Sequence, residues 1–112
     1  MSAPLSRSLF HGTLESLKIG SNVEPRTGWS WAHEDPLAAA NHTRNRLSGF
    51  GEDSRQSDQG VLFGNVYEVE EHKGDDSIEQ DANAKGVVTS KKGFKVKKLH
   101  KIISTGDPYE HN

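Results

Sequence analysis

A chain of 112 residues with 31% apolar content and a mean hydropathy of -0.80 supplies one domain with a thin core, and it lacks any apolar stretch long enough for a membrane-spanning helix. It contains no cysteine, which excludes a disulfide framework and a thiolate zinc site. The net charge of -2 hides an asymmetry: Glu68, Glu70, Glu71, Asp75, Asp76, Glu79 and Asp81 face only Lys73, whereas Lys85, Lys91, Lys92, Lys95, Lys97, Lys98 and Lys101 follow without one acid. Such a run attracts phosphates or polyanions, or is simply a solvated face. Residues 1–7 hold no signal-peptide-like apolar run, so the expectation is a cytoplasmic protein with no membrane partner.

In chain order, residues 1–8 read as a flexible or edge segment. Leu9 and Phe10 then lead straight into His11, Gly12 and Thr13, a strand ending in a binding loop. The apolar pair suits a buried strand, glycine permits close backbone approach, and His11 and Thr13 add a ring nitrogen and a hydroxyl at one point. A histidine satisfied at a strand end is the plain alternative. Residues 14–19 form a helical turn or pack loosely, and residues 20–22 and 24–28 carry turn chemistry around Pro25 and Gly28. Trp29, Ser30 and Trp31 alternate as a short strand does, with both indoles on one face. The clearest helix follows: Asp35 caps, Pro36 takes the first position, and residues 37–47 are good formers before Ser48 and Gly49. Its apolar stripe of Leu37, Ala40 and Leu47 is narrow. The alanines predict close packing on a sheet, with Arg44, Asn45 and Arg46 directed to solvent.

Residues 49–60 are polar and glycine-rich, a mobile loop by composition. Residues 61–70 are the strongest strand, apolar on both faces and therefore central. Residues 71–84 read as acidic and irregular, 86–90 as re-entering the sheet, and 94–103 as a strand with a bulge or edge at Lys97 and Lys98. Residues 104–112 read as a flexible tail. His11, His33, His42, His72, His100 and His111 show no metal-site spacing, and neither a phosphate-binding loop nor a dinucleotide glycine fingerprint occurs.

Several of these stretches, taken in order, resemble the rifamycin ADP-ribosyltransferase family. They are Leu9-Phe10-His11-Gly12-Thr13, Leu17-Lys18-Ile19-Gly20, Pro25, Leu37-Ala38-Ala39-Ala40, Gly64-Asn65-Val66-Tyr67-Glu68-Val69-Glu70, Ile78-Glu79-Gln80-Asp81-Ala82-Asn83 and Ser90-Lys91-Lys92-Gly93-Phe94-Lys95-Val96. Together they cover most of residues 9–100. The resemblance implies an α+β domain, a single unit over residues 1–112, with a small split β-sheet of the ADP-ribosyltransferase type and one short helix. It implies NAD as co-substrate, with ADP-ribose passed to a protein, nucleic acid or small-molecule acceptor and nicotinamide released. Carried over, His11 falls on the histidine that holds the adenosine ribose, the Gly12 backbone where the nicotinamide amide sits, and Asp81 on the acid near the reacting ribose. Thr13 and Tyr67 join the cofactor-binding set, and Glu79, two residues before Asp81, is the competing catalytic acid. The family's stacking tyrosine falls on Trp31, a departure, and the family's C-terminal helical tail has no counterpart. The chemistry suits these residue types: cleaving the nicotinamide bond develops positive charge that a carboxylate and an aromatic face stabilise. The rival expectation is a catalytically inactive module of the same fold that contacts a protein or nucleic acid through its charged surfaces.

Overall fold

A computed structural model describes residues 8–53 and 63–104. The elements run β1 (Leu9–Thr13), β2 (Asn22–Val23), β3 (Ser30–His33), α1 (Pro36–Asp53), β4 (Phe63–Glu71), β5 (Glu79–Gln80), β6 (Val87–Ser90) and β7 (Phe94–Ser104). The domain is mixed α/β, with one helix among the described residues and an antiparallel sheet in the order β2-β7-β4-β1-β3-β6-β5. The apolar alternation of residues 63–71 puts β4 where expected, flanked by β1 and β7; residues 61 and 62 of the expected strand lie outside the described residues. β7 carries the expected bulge. Glu68 lies opposite Lys98 and Val69 opposite Val96, which leaves Lys97 over; a second irregularity leaves His100 over between Leu99 and Lys101.

Three expectations are corrected. The split sheet is one continuous strand order, because Phe10 lies opposite His33 and links β1 to β3, although by that pair alone. The helix passes Gly49 and ends at Asp53, since an interior glycine costs only about 1 kcal/mol against alanine and does not forbid helix; residues 54–60 of the expected loop lie outside the described residues. Arg44 is buried at 5% exposure, and its guanidinium donates to Asn41 Oδ1 at 2.9 Å one turn back. The two-residue strands β2 and β5 appear where turns and irregular chain are expected. β2 is extended by two backbone bonds of the preceding turn to β7, Gly20 N–H to Val96 O (2.8 Å) and Val96 N–H to Ser21 O (2.9 Å).

Each face of the sheet has its own core. On one, α1 packs Ala39, Ala40 and Leu47 against Phe10, Val66 and Ile103. The helix lies so close that a Cβ on Gly12 would overlap Thr43 Oγ1 and come within 2.7 Å of Ala39 O, and one on Gly64 would meet Thr43 Cγ2 at 2.5 Å. Asp35 Oδ1 accepts the Leu37 N–H at 2.9 Å, the cap that starts this helix in register. On the other face Leu9, Val23, Ala32, Tyr67, Val69, Val88, Phe94 and Val96 cluster, with Leu17 and Ile78 from the flanking loops. No helix among the described residues is long and apolar enough to cross a membrane.

Candidate functional site

β1 joins β4 through five consecutive residue pairs, Leu9 opposite Val69 through Thr13 opposite Asn65, but joins β3 only at Phe10 and His33. Beyond that pair the strands part, and His11 spans the opening: its Nδ1 lies 2.8 Å from the Trp31 carbonyl oxygen. A carbonyl can only accept, so Nδ1 carries the proton and Nε2 presents a lone pair. Burial lowers the His11 pKa most, the Trp31 carbonyl works against it, and His42 and Arg46 push it down further while Glu15 raises it. The ring is therefore neutral at pH 7.

The second wing, β3-β6-β5, carries the remaining candidates on the face shared with α1. Trp31 lies opposite Thr89, and Thr89 opposite Glu79, so the three side chains form one row across the wing, its ends two strand spacings or about 10 Å apart. Trp31 is 50% exposed, an accessible indole rather than a core one. Trp29 lies outside the strand: it closes the Arg26–Trp29 turn, half-buried, with Lys91 Nζ 5.1 Å from its ring centroid. Asp81 continues the ladder past β5, its N–H donating to Val87 O at 2.8 Å, while its Oδ1 accepts the Asn83 N–H at 2.8 Å. Glu79 and Asp81 thus share the face of Trp31 and His33, as residues two apart on an extended segment do.

The other candidates are engaged within the fold. Gly12 faces α1, its Cα pressed against Thr43 and Ala39. Thr13 is buried and its Oγ1 accepts the Glu15 N–H at 3.1 Å. Tyr67 is buried opposite His11, and its hydroxyl accepts the Leu17 N–H at 2.8 Å, tying the loop after β1 to the central strand.

Sequence reasoning missed a second group at the same opening. His33 and His42 face each other with ring centroids 5.7 Å apart, and Arg46 stands one turn beyond His42 on α1. Burial, then the positive charge of His42 and of His11, lower the His33 pKa to about 4, with Asp35 opposing. Partial burial and Arg46 lower that of His42. The signal was present in spacing: His33 is two residues from Trp31, and His42 and Arg46 stand at i and i+4. Neither the described His nor the carboxylates gather in a group of three suited to a metal. Trp31, Glu79, Asp81, His33, His42 and Arg46 therefore share the α1 face of the second wing, with Glu79 and Asp81 at its outer edge, while His11 alternates with Gly12 onto the other face.

No protein-family model matches this chain, and no curated protein or solved structure shows significant similarity to it.

Proposed function

We propose that this chain transfers ADP-ribose from NAD to an acceptor, using the opening between β1 and β3. The observation that carries the reading is the abrupt end of the β1–β3 ladder after one pair, with His11 reaching across to the Trp31 carbonyl and the exposed Trp31 indole on the α1 side of the same strand. In this reading His11 Nε2 accepts a hydrogen bond from a ribose hydroxyl and Trp31 stacks on the nicotinamide ring. The bond between the ribose C1 and the ring nitrogen breaks, and nicotinamide leaves with the electron pair. Glu79 or Asp81 stabilises the positive charge left on the ribose and takes the proton of the attacking acceptor. Their shared face with Trp31 supports both candidates equally.

The inactive binding module is the second reading, favoured by one observation: Gly12, Thr13 and Tyr67 serve the protein's own packing and loop bonds. A titration of labelled protein with NAD, with His11→Ala in parallel and nicotinamide assayed in the same tubes, separates the two. Saturable shifts at His11, Trp31 and Glu79 or Asp81, lost in the variant, together with released nicotinamide, support transfer. Absence of shifts at millimolar NAD removes the transfer reading and leaves the module.

A further inference from the structure

The basic side of the opening has chemistry of its own. His42 and Arg46 occupy one face of α1 a turn apart, a like-charged spacing that costs stability whenever both are charged. His33 meets His42 from β3, whereas His11, alternating with Gly12, lies with Tyr67 on the other face of the sheet and acts on this group only through charge. Two acids reach this group, and both are engaged elsewhere. Glu15 is ion-paired through Oε2 with Arg26, and Asp35 caps α1 through Oδ1. His33, His42 and Arg46 thus come together from two elements, and Asp35, the acid near His33 among the described residues, is committed to the helix cap. A bound anion would relieve that repulsion and complete the arrangement.

We propose that the notch formed by His33, His42 and Arg46 binds a phosphate-bearing ligand and takes up protons as it does so. Arg46, always charged and exposed on the helix, provides the fixed cation and a planar donor fork suited to phosphate oxygens. His42, also exposed, and His33, half-buried behind it, donate once protonated. Burial lowers the pKa of each, with His42 adding to it for His33 and Arg46 for His42, so a bound phosphate must raise both values. The site is independent of the NAD reading: the phosphate could belong to a dinucleotide or to any nucleoside diphosphate.

Pyrophosphate, ADP and NAD are the probes, titrated into the full chain at pH 7.5 and pH 5.5 while the histidine ring resonances are followed. Binding of pyrophosphate should move His33 and His42 and raise both pKa values. Affinity should tighten at least about tenfold from pH 7.5 to pH 5.5, the expectation for one proton taken up across one pH unit. Arg46→Gln should weaken pyrophosphate about tenfold, whereas Lys73→Gln, an exposed charge in the loop after β4, should leave it unchanged. Equal losses in the two variants, no pH dependence, or shifts confined to the β7 lysines would overturn the proposal. Binding of ADP and NAD with this signature but without nicotinamide release leaves the notch standing and removes the transferase. Nicotinamide release with no pyrophosphate binding does the reverse.

Discussion

The two wings of this sheet are built by different rules. In β2-β7-β4-β1, long strands share up to nine residue pairs and α1 clamps one face so tightly that two positions must be glycine. In β3-β6-β5, strands of two to four residues share four pairs and two, and the wing joins the first by Phe10 opposite His33, the His11 bond to Trp31 and the packing of Ala32 and Val88 against Leu9, Val69 and Phe94. Close packing leaves the first wing no room for a ligand, while the second presents aromatic, acidic and basic side chains at an opening. The domain thus separates stability from accessible chemistry.

Cutting the core of the first wing should have the largest effect. Phe94 is fully buried beneath the central strands, and Phe94→Ala should lower stability by about 3–5 kcal/mol in urea unfolding. Adding one carbon where α1 meets β1 comes next. Gly12→Ala drives a methyl into Thr43 Oγ1 and the Ala39 carbonyl, and should cost about 2–3 kcal/mol; Gly12→Ala with Thr43→Ala should recover part of that loss, since the side chain it meets is shortened. An unchanged midpoint in the single variant would show that the helix is not held against the sheet as described.

The seam should give a smaller and more local response. His11→Ala leaves the Trp31 carbonyl without its partner, for about 1 kcal/mol globally. The larger readout is amide exchange, with β3 and β6 opening faster while β4 and β7 hold their protection. Uniform loss of protection across both wings would break the contrast drawn above.

Acid probes the same seam. His33 has its pKa lowered to about 4 from an ordinary 6.5, so below pH 6.5 the unfolded chain binds a proton that the folded one refuses. Stability therefore rises with pH between about 4 and 6.5 and is lost as pH falls through that window. Discounted for the partial exposure of the ring, the loss is about 1 kcal/mol. His33→Asn should flatten that part of the pH profile; a slope unchanged in the variant would assign it to another group.

The smallest predicted effect is a gain. Arg26 and Trp29 close a two-residue turn in which Thr27 has φ 53° and Gly28 φ 93°, the geometry that favours Asn-Gly. A β-branched residue is strained there, and Thr27→Asn should add about 0.5–1 kcal/mol.

This division explains what could be read from the residues. β1, β4, β6 and β7 announce themselves through apolar runs and alternation, because a strand in a packed sheet must bury side chains. Asp35-Pro36 announces the helix start because capping is local. β2 and β5 carry no such signal: they are extended because Lys95 and Phe94, and Thr89 and Val88, offer them partners, and partners are not visible locally. Of the candidate site, His11 reaches the backbone carbonyl of Trp31, while the Trp31 indole, Glu79 and Asp81 share the opposite face of the sheet. The role of Gly12 in admitting α1, and the convergence of His33, His42 and Arg46, depend on how the helix crosses the sheet. That crossing is set by Thr43, Ala39 and Ala40 packing on β1 and β4, contacts that no single stretch contains.

The pairing of β1 with β4 also governs how the chain reaches its native state. Leu9 waits for Val69, so β1 gains its five-pair ladder only once β4 has been made. Zipping β4 against β7 requires later residues still, which places the closing of the longest loop ahead of the contacts that reward it. Folding should accordingly be slow for so small a domain, in the millisecond-to-second range of sheets with non-local pairing. Nascent β1 is a stretch for chaperones to shield.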